Sequence, residues 1–176
     1  MRRAVFLDRD GVLTEAIVRG GRAYAPLGWE DFRIVAGAAE QVARLRAAGL
    51  VCLVFTNQPE VARGLLPQAT LDAMHSRLSD AIELDQILVC PHDPSDGCGC
   101  HKPKTGMLLA AAERWCLDLG RSFVIGDRWR DVDAGRAAGC FSILIERPYS
   151  ACSTADACVA DLVGAVDLVL ARLEER

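Results

Sequence analysis

The sequence predicts an α/β fold, a Rossmann-like and mostly parallel sheet with helices on both faces. Three observations carry that expectation. Short apolar runs recur along the chain, stretches of helical period separate them, and polar residues able to do chemistry follow one run after another. The first run, 4–7, reads as a buried strand. The second, 50–55, follows a helical stretch over 38–48 that Gly49 is placed to stop. A helix over 70–83 leads to a third run at 87–90, and a helix over 107–116 to a fourth at 123–125. A helix over 131–138, closed by Gly139, precedes the fifth run at 141–145. Leu162, Val166, Val169, Leu170 and Leu173 recur at helical spacing and predict a last helix across much of 162–174, docked by one face on the sheet. The stretch 14–37 has no long periodic pattern and carries four Gly, one Pro and Trp29, which predicts a functional lid or a small insertion.

With 176 residues, no internal repeat and no low-complexity linker, the chain is expected to form a single domain over 1–176. A composition of 51% hydrophobic and 25% charged residues excludes disordered, collagenous and coiled-coil classes. The apolar runs fall far short of the roughly 20 residues of a membrane span. The apolar stretch after Met1-Arg2-Arg3 is too short for a signal-peptide core, so the cytoplasm is the expected compartment and no membrane partner is expected. A net charge of -4 offers no general attraction to nucleic acid, and an anionic ligand would need a local set of donors. No sequence feature fixes an oligomeric state; a monomer is the simplest expectation.

In an open parallel sheet, ligands bind beyond the carboxyl ends of the strands. The residues expected there are Asp8 and Asp10 after the first run, Thr56 and Asn57 after the second, Lys102 after the third by way of a loop, and Asp127 with Asp131 after the fourth. Two carboxylates one residue apart can divide labour, one attacking an electrophile while the other exchanges a proton with the leaving group. A third carboxylate opposite them would complete an oxygen-rich cage for a hard divalent cation, expected to be Mg2+. Thr56 and Lys102 would then meet the charge of a transferring phosphoryl group. Three unpaired acids at one rim repel each other, and only a bound cation or a function would balance them.

Cys90, His92, Cys98 and Cys100 fall within eleven residues of a polar loop. Three thiolates and an imidazole are a complete tetrahedral set for Zn2+, with no vacant position, so the expected site over 90–100 is structural. It would tie down the loop that carries His101 and Lys102. A disulfide between Cys98 and Cys100, with only Gly99 between them, would be strained.

Asp8-Arg9-Asp10-Gly11-Val12, Thr56-Asn57-Gln58, Lys102-Pro103-Lys104 and Gly126-Asp127-Arg128-Trp129-Arg130-Asp131 resemble the four motifs of the haloacid dehalogenase superfamily, in its order and across nearly the whole chain. The resemblance implies that Asp8 is the nucleophile that becomes aspartyl phosphate and that Asp10 is the general acid and later the base. It implies Asp8, the backbone carbonyl of Asp10 and Asp127 as Mg2+ ligands, with Asp131 supporting, and Thr56 and Lys102 as holders of the phosphoryl oxygens. The cysteine loop, on a chain with no large cap domain, is similar to the heptose-bisphosphate and histidinol-phosphate phosphatases of that superfamily. The implied substrate is a small phosphorylated sugar, foremost D-glycero-D-manno-heptose 1,7-bisphosphate, with Asn57, Gln58, Arg63 and His101 as binding residues. Histidinol phosphate, another sugar phosphate, and a non-catalytic zinc-stabilised binding module are the alternatives. Where the heptose phosphatases carry Arg before the motif Lys, this chain has His101, and Pro59-Glu60 replaces their Ser-Gly. Histidine offers no bidentate fork.

The remaining residues have plainer expectations. His75 is expected to be solvated, Trp115 and Cys116 to lie on a packed helix face, and Cys52 and Cys140 to sit in buried strands. Trp129 would either pack beneath the metal loop or wall the mouth of the site. Cys152 and Cys158, with no His beside them, are expected to bind no metal.

Overall fold

The computed structural model describes residues 1–151 and 154–175. In chain order, β1 (Ala4–Leu7) is followed by a hairpin of β2 (Ile17–Arg19) and β3 (Arg22–Tyr24), then α1 (Ala38–Ala47), β4 (Val51–Asn57), α2 (Gln68–Ala81), β5 (Gln86–Cys90) and α3 (Gly106–Trp115). The chain continues through β6 (Phe123–Gly126), α4 (Trp129–Ala137), β7 (Phe141–Ile145), β8 (Ala157–Val159) and α5 (Leu162–Glu174). Six strands form one sheet in the order β5-β4-β1-β6-β7-β8, every neighbouring pair parallel.

The inner strands bury both faces, which is why they read as continuous apolar runs and not as alternating ones. Val5 and Leu7 of β1 join Val42 and Leu45 of α1, Leu71 and Met74 of α2, and Val166 and Val169 of α5 in one cluster. Ala4 and Phe6 turn the other way, into a cluster with Leu108 and Ala111 of α3 and Ala134 of α4. Each fully buried Val, Leu or Phe contributes roughly 1.5–3 kcal/mol through burial. This two-sided burial fixes the strand ends that carry the polar residues.

The insertion between β1 and α1 differs from a plain loop. Gly20 and Gly21, at φ 56° and 72°, make the two-residue turn whose twist suits a hairpin, and Ile17 pairs with Tyr24. A neck closes the base of the insertion: Glu15 N–H donates to Arg33 O and Val35 N–H to Leu13 O, both at 2.9 Å. β8 was also not expected from the sequence. Helix α4 begins at Trp129, two residues before the expected start, which places Asp131 inside its first turn. Cys116 departs from its expectation: α3 stops at Trp115, and Cys116 caps it in a left-handed conformation and is exposed. Cys52 is buried in β4 as expected, Cys140 is buried but lies one residue before β7, and Cys152 lies outside the described residues. Among the described residues, no helix is long and apolar enough to cross a membrane.

Candidate active site

Asp8 lies just past β1, where the strand order turns between β4 and β6. Its Oδ1 accepts from the Arg9 N–H at 2.7 Å and stands 2.9 Å from Lys102 Nζ. The same ammonium is 2.6 Å from Asp131 Oδ1, donates to Phe55 O at 2.9 Å, and sits 4.2 Å from the centre of the Phe55 ring. Burial pulls the Lys102 pKa down, but the charges of Asp131 and Asp8 outweigh it and hold it above its ordinary value.

Carboxylate oxygens of Asp8, Asp127 and Asp131 all lie within 4.8 Å of one another, and all three residues are buried. Burial and the charge of Asp131 lift the Asp8 carboxyl to about 6 despite Lys102. Burial, followed by the charges of Asp8 and Asp131, lifts Asp127 to about 7. The Lys102 ammonium and the Arg128 guanidinium, whose Nε lies 3.9 Å from Asp127 Oδ1, face three acids, and Asp127 Oδ1 is buried with no hydrogen-bond partner. An oxygen set short of positive charge, with an orphaned oxygen in it, fits a hard divalent cation.

Asp127 is held from behind by residues that sequence reasoning missed. Tyr149 donates its hydroxyl to Asp127 Oδ2 at 2.6 Å, and Ser150 donates to the Asp127 carbonyl at 2.6 Å. Gly11, at φ 95°, lies so close that a Cβ there would come within 2.0 Å of Asp127 Oδ2. No motif marks Tyr149; only its place in the loop after the fifth apolar run hints at the rim.

The Asp10 carboxyl sits in a separate network. Arg9 grips it with two parallel bonds, Nε to Oδ1 at 3.0 Å and Nη2 to Oδ2 at 2.9 Å. Thr14 donates to Oδ1 at 3.0 Å and Gln58 Nε2 to Oδ2 at 2.9 Å. Burial raises the Asp10 pKa, but Arg9's charge and these bonds outweigh it and hold the carboxyl below its ordinary value. Arg9 is fully buried, and its Nη1 lies 3.0 Å from His75 Nε2, so that ring nitrogen is the acceptor. His75 is therefore not solvated: burial and the Arg9 charge push it down to about 4. Gln58 also departs from its expected place at the substrate. It is fully buried and bonds Asp10 and Thr56 Oγ1, so it positions Asp10.

A cavity of about 260 Å³ opens over Asp8 and Asp10 and is walled by Thr56, Asn57, Lys102 and His101. Arg63 reaches its edge, although its Nε already donates to Asp93 at 2.6 Å. Asn57 spends its amide on Lys102: Nδ2 donates to Lys102 O at 3.2 Å and Lys102 N–H donates back to Oδ1 at 3.0 Å. His101 is buried, with Nδ1 3.1 Å from His92 O, and burial holds its pKa below the ordinary value. Trp129 is 44% exposed, so it does not pack beneath the acidic loop.

The thiol cluster flanks this cavity. Sγ of Cys100 is 3.2 Å from that of Cys90 and 3.5 Å from that of Cys98, and His92 Nδ1 is 3.3 Å from Cys100 Sγ. Sulfurs bound at about 2.3 Å around one tetrahedral Zn2+ would lie roughly 3.8 Å apart, so small outward shifts would seat the ion. Cys90 ends β5 in register with Asn57 of β4, and Gln58 N–H donates to Cys90 O at 2.7 Å. The cluster is thus braced against the residues that hold Lys102.

Residues 99–167 match the HAD-hydrolase-like family model. The D-glycero-beta-D-manno-heptose-1,7-bisphosphate 7-phosphatase of Pseudomonas putida is 36% identical over 152 residues, 82% of each chain. The corresponding D-glycero-D-manno-heptose-1,7-bisphosphate 7-phosphatase of Thermosynechococcus vestitus is 34% identical over 99% of both chains. This chain belongs to that family of HAD-like phosphatases. The crystal structure of the B. bronchiseptica D,D-heptose 1,7-bisphosphate phosphatase, complexed with magnesium and phosphate, superposes with a TM-score of 0.84 at 30% identity, covering 97% of this chain and 99% of that one. Membership of a phosphatase family sets aside the alternative of a non-catalytic module. In this HAD-like phosphatase the four polar strand ends meet at one cavity.

Proposed function

We propose that the protein is a Mg2+-dependent phosphomonoesterase that removes the 7-phosphate of D-glycero-D-manno-heptose 1,7-bisphosphate through an aspartyl phosphate on Asp8. The observation that carries this reading is the setting of Asp8, clasped at Oδ1 by Lys102 and the Arg9 amide while a buried cluster of acids stands beside it. Oδ2 is left to attack phosphorus. As the ester P–O bond breaks, Asp10 gives a proton to the departing alkoxide. Asp10 then takes a proton from the water that cleaves the aspartyl phosphate. Its carboxyl rests ionised in the grip of Arg9, so the proton it gives must first be taken up from solvent as the arriving phosphate dianion raises its proton affinity. Lys102 and Thr56 steady the phosphoryl oxygens. Mg2+ held by Asp8, Asp127 and the Asp10 carbonyl, with Asp131 alongside, supplies positive charge that offsets the meeting of two anions.

The whole chain, 1–176, acts as one domain in the cytoplasm, with Cys90, His92, Cys98 and Cys100 holding a structural Zn2+. Ala23 and Tyr24 of the hairpin and Pro94 of the thiol loop wall the cavity, so closure falls to these two segments. One observation favours a second reading, histidinol phosphate or another sugar phosphate: His101 stands where the family carries Arg. A panel of phosphate esters ranked by kcat/KM decides. Heptose bisphosphate should exceed generic esters by at least about 100-fold, in the usual range for a site that recognises polar groups. Equal rates would overturn the substrate, and histidinol phosphate at the top would establish the second reading.

A further inference from the structure

We propose that His75, on α2 and outside the four polar strand ends, is a positioning residue for proton transfer: through Arg9 it aims the Asp10 carboxyl at the oxygen that leaves phosphorus. This rests on the general-acid role given to Asp10 above. The Arg9 guanidinium is fully buried and spends one edge on Asp10, Nε to Oδ1 at 3.0 Å and Nη2 to Oδ2 at 2.9 Å. Its remaining nitrogen, Nη1, lies 3.0 Å from His75 Nε2. A guanidinium only donates, so Nε2 accepts and the ring proton sits on Nδ1. Burial and the Arg9 charge keep the ring neutral and therefore able to accept. Phe32, from the base of the insertion, covers the group with its ring centre 5.9 Å from Arg9 Cζ.

The Asp10 carboxyl is thus held from the protein interior, by way of Arg9. The Arg9 backbone is fixed by the turn after β1, where Leu13 N–H and Thr14 N–H both donate to Arg9 O. Its side chain is not fixed in the same way: several rotatable bonds separate the backbone from the guanidinium, and ordering them costs conformational entropy that the far end must offset. His75 supplies the far anchor, and it does so from a helix whose Leu71, Met74 and Leu78 are buried in the core. Thr14 and Gln58 give Asp10 a single bond each, at 3.0 Å and 2.9 Å, whereas the two-bond fork of Arg9 sets the plane of the carboxyl. A shift of about 1 Å in a reacting group can cost about 100-fold in rate. Loss of the His75 anchor would allow such a shift without touching the acids around Asp8.

The test measures kcat/KM for two esters, because that ratio covers the steps through departure of the alcohol and so isolates the acid role of Asp10 from its later role as base. One is the fastest alkyl phosphate of the panel above, whose alkoxide leaves poorly without a proton; the other is p-nitrophenyl phosphate, whose phenolate leaves readily without one. His75→Leu should lower kcat/KM about 30-fold for the alkyl ester and no more than about threefold for the aryl ester. His75→Gln, which keeps an acceptor at the reach of Nε2, should hold the alkyl ester within about threefold of wild type. Asp10→Asn should show the same split, larger. Turnover of the aryl ester counts folded sites, and His75→Ala gives the same comparison where His75→Leu does not fold. A His75→Leu loss equal for both esters, or no loss, beside a split in Asp10→Asn would overturn the positioning role and leave Asp10 as the acid. Asp10→Asn without a split would overturn both.

Discussion

Cys90, His92, Cys98 and Cys100 come from one stretch of eleven residues, the buried end of β5 and the partly exposed loop after it, whereas Asp8, Asp127 and Asp131 come from the ends of β1 and β6 and the first turn of α4. The thiol set is local, and little besides a metal would hold four soft ligands together there. The carboxylate set is imposed by a packed sheet, which keeps three acids in contact whether or not a cation is bound. A metal in the first site is part of the folding energy. A metal in the second relieves a repulsion that the scaffold has already built in. The two clusters should therefore fail in different ways when disturbed.

The largest effect is expected at the carboxylates, on rate. Asp8→Asn should lower kcat by about 10,000-fold or more while the thermal unfolding midpoint stays close to wild type. Residual turnover above that level, or acid-trapped phosphoprotein in the variant, would remove Asp8 as the nucleophile. The thiol loop should show the reverse pattern. Elemental analysis should find roughly one Zn2+ per wild-type chain, and Cys98→Ser should release it and lower Tm by roughly 10 °C, corresponding to several kcal/mol of lost metal binding. An unchanged Tm in zinc-free protein would break the contrast between the clusters.

A smaller effect tests what stands behind the acids. Tyr149→Phe keeps the ring but removes the donor to Asp127 Oδ2. The Mg2+ concentration for half-saturation, read by calorimetry and by activity, should rise about tenfold with kcat at saturating Mg2+ preserved. Unaltered Mg2+ affinity would reduce Tyr149 to a packing residue.

The smallest effect is a pH dependence. The folded-state carboxyls of Asp8 and Asp127 are raised from the ordinary 3.8 to about 6 and about 7, so the metal-free folded state binds more protons than the unfolded one between those limits. Its stability from these groups is present at low pH and is lost as pH rises from about 4 to about 7. Mg2+ restores it by binding the ionised form. The Tm gain on adding Mg2+ should thus be larger at pH 7.5 than at pH 5, by roughly 2–4 °C for each kcal/mol recovered. An equal gain at both values would show that the acids ionise independently.

The same contrast governs what could be read in advance. The thiol set is legible because its ligands are neighbours in sequence and its spacing is the signal. The carboxylate rim is legible only through the rule that parallel strands deliver their ends to one edge, reinforced by the motif resemblance. Tyr149 and Ser150 escaped because they reach Asp127 from a loop with no periodicity or motif. His75 was misjudged because a polar helix neighbourhood does not reveal that Arg9 is buried opposite it. Gln58 stands beside the substrate in sequence but turns inward to Asp10. The hairpin was missed because its strands are three residues each, although Gly20-Gly21 between Arg19 and Arg22 carries the turn signal that would have revealed it.

The insertion that carries β2 and β3 leaves and rejoins the body through one zipped neck at Leu13–Glu15 and Arg33–Val35, so its hairpin tip can vary on a fixed base. Lengthening or exchanging its β2–β3 tip need not disturb β1 or the acids beyond it, whereas Phe32 nearer its base is buried with β1 and lies against the Arg9 guanidinium. Divergence in what such enzymes admit can then proceed by swapping this flap, with the reaction chemistry inherited unchanged.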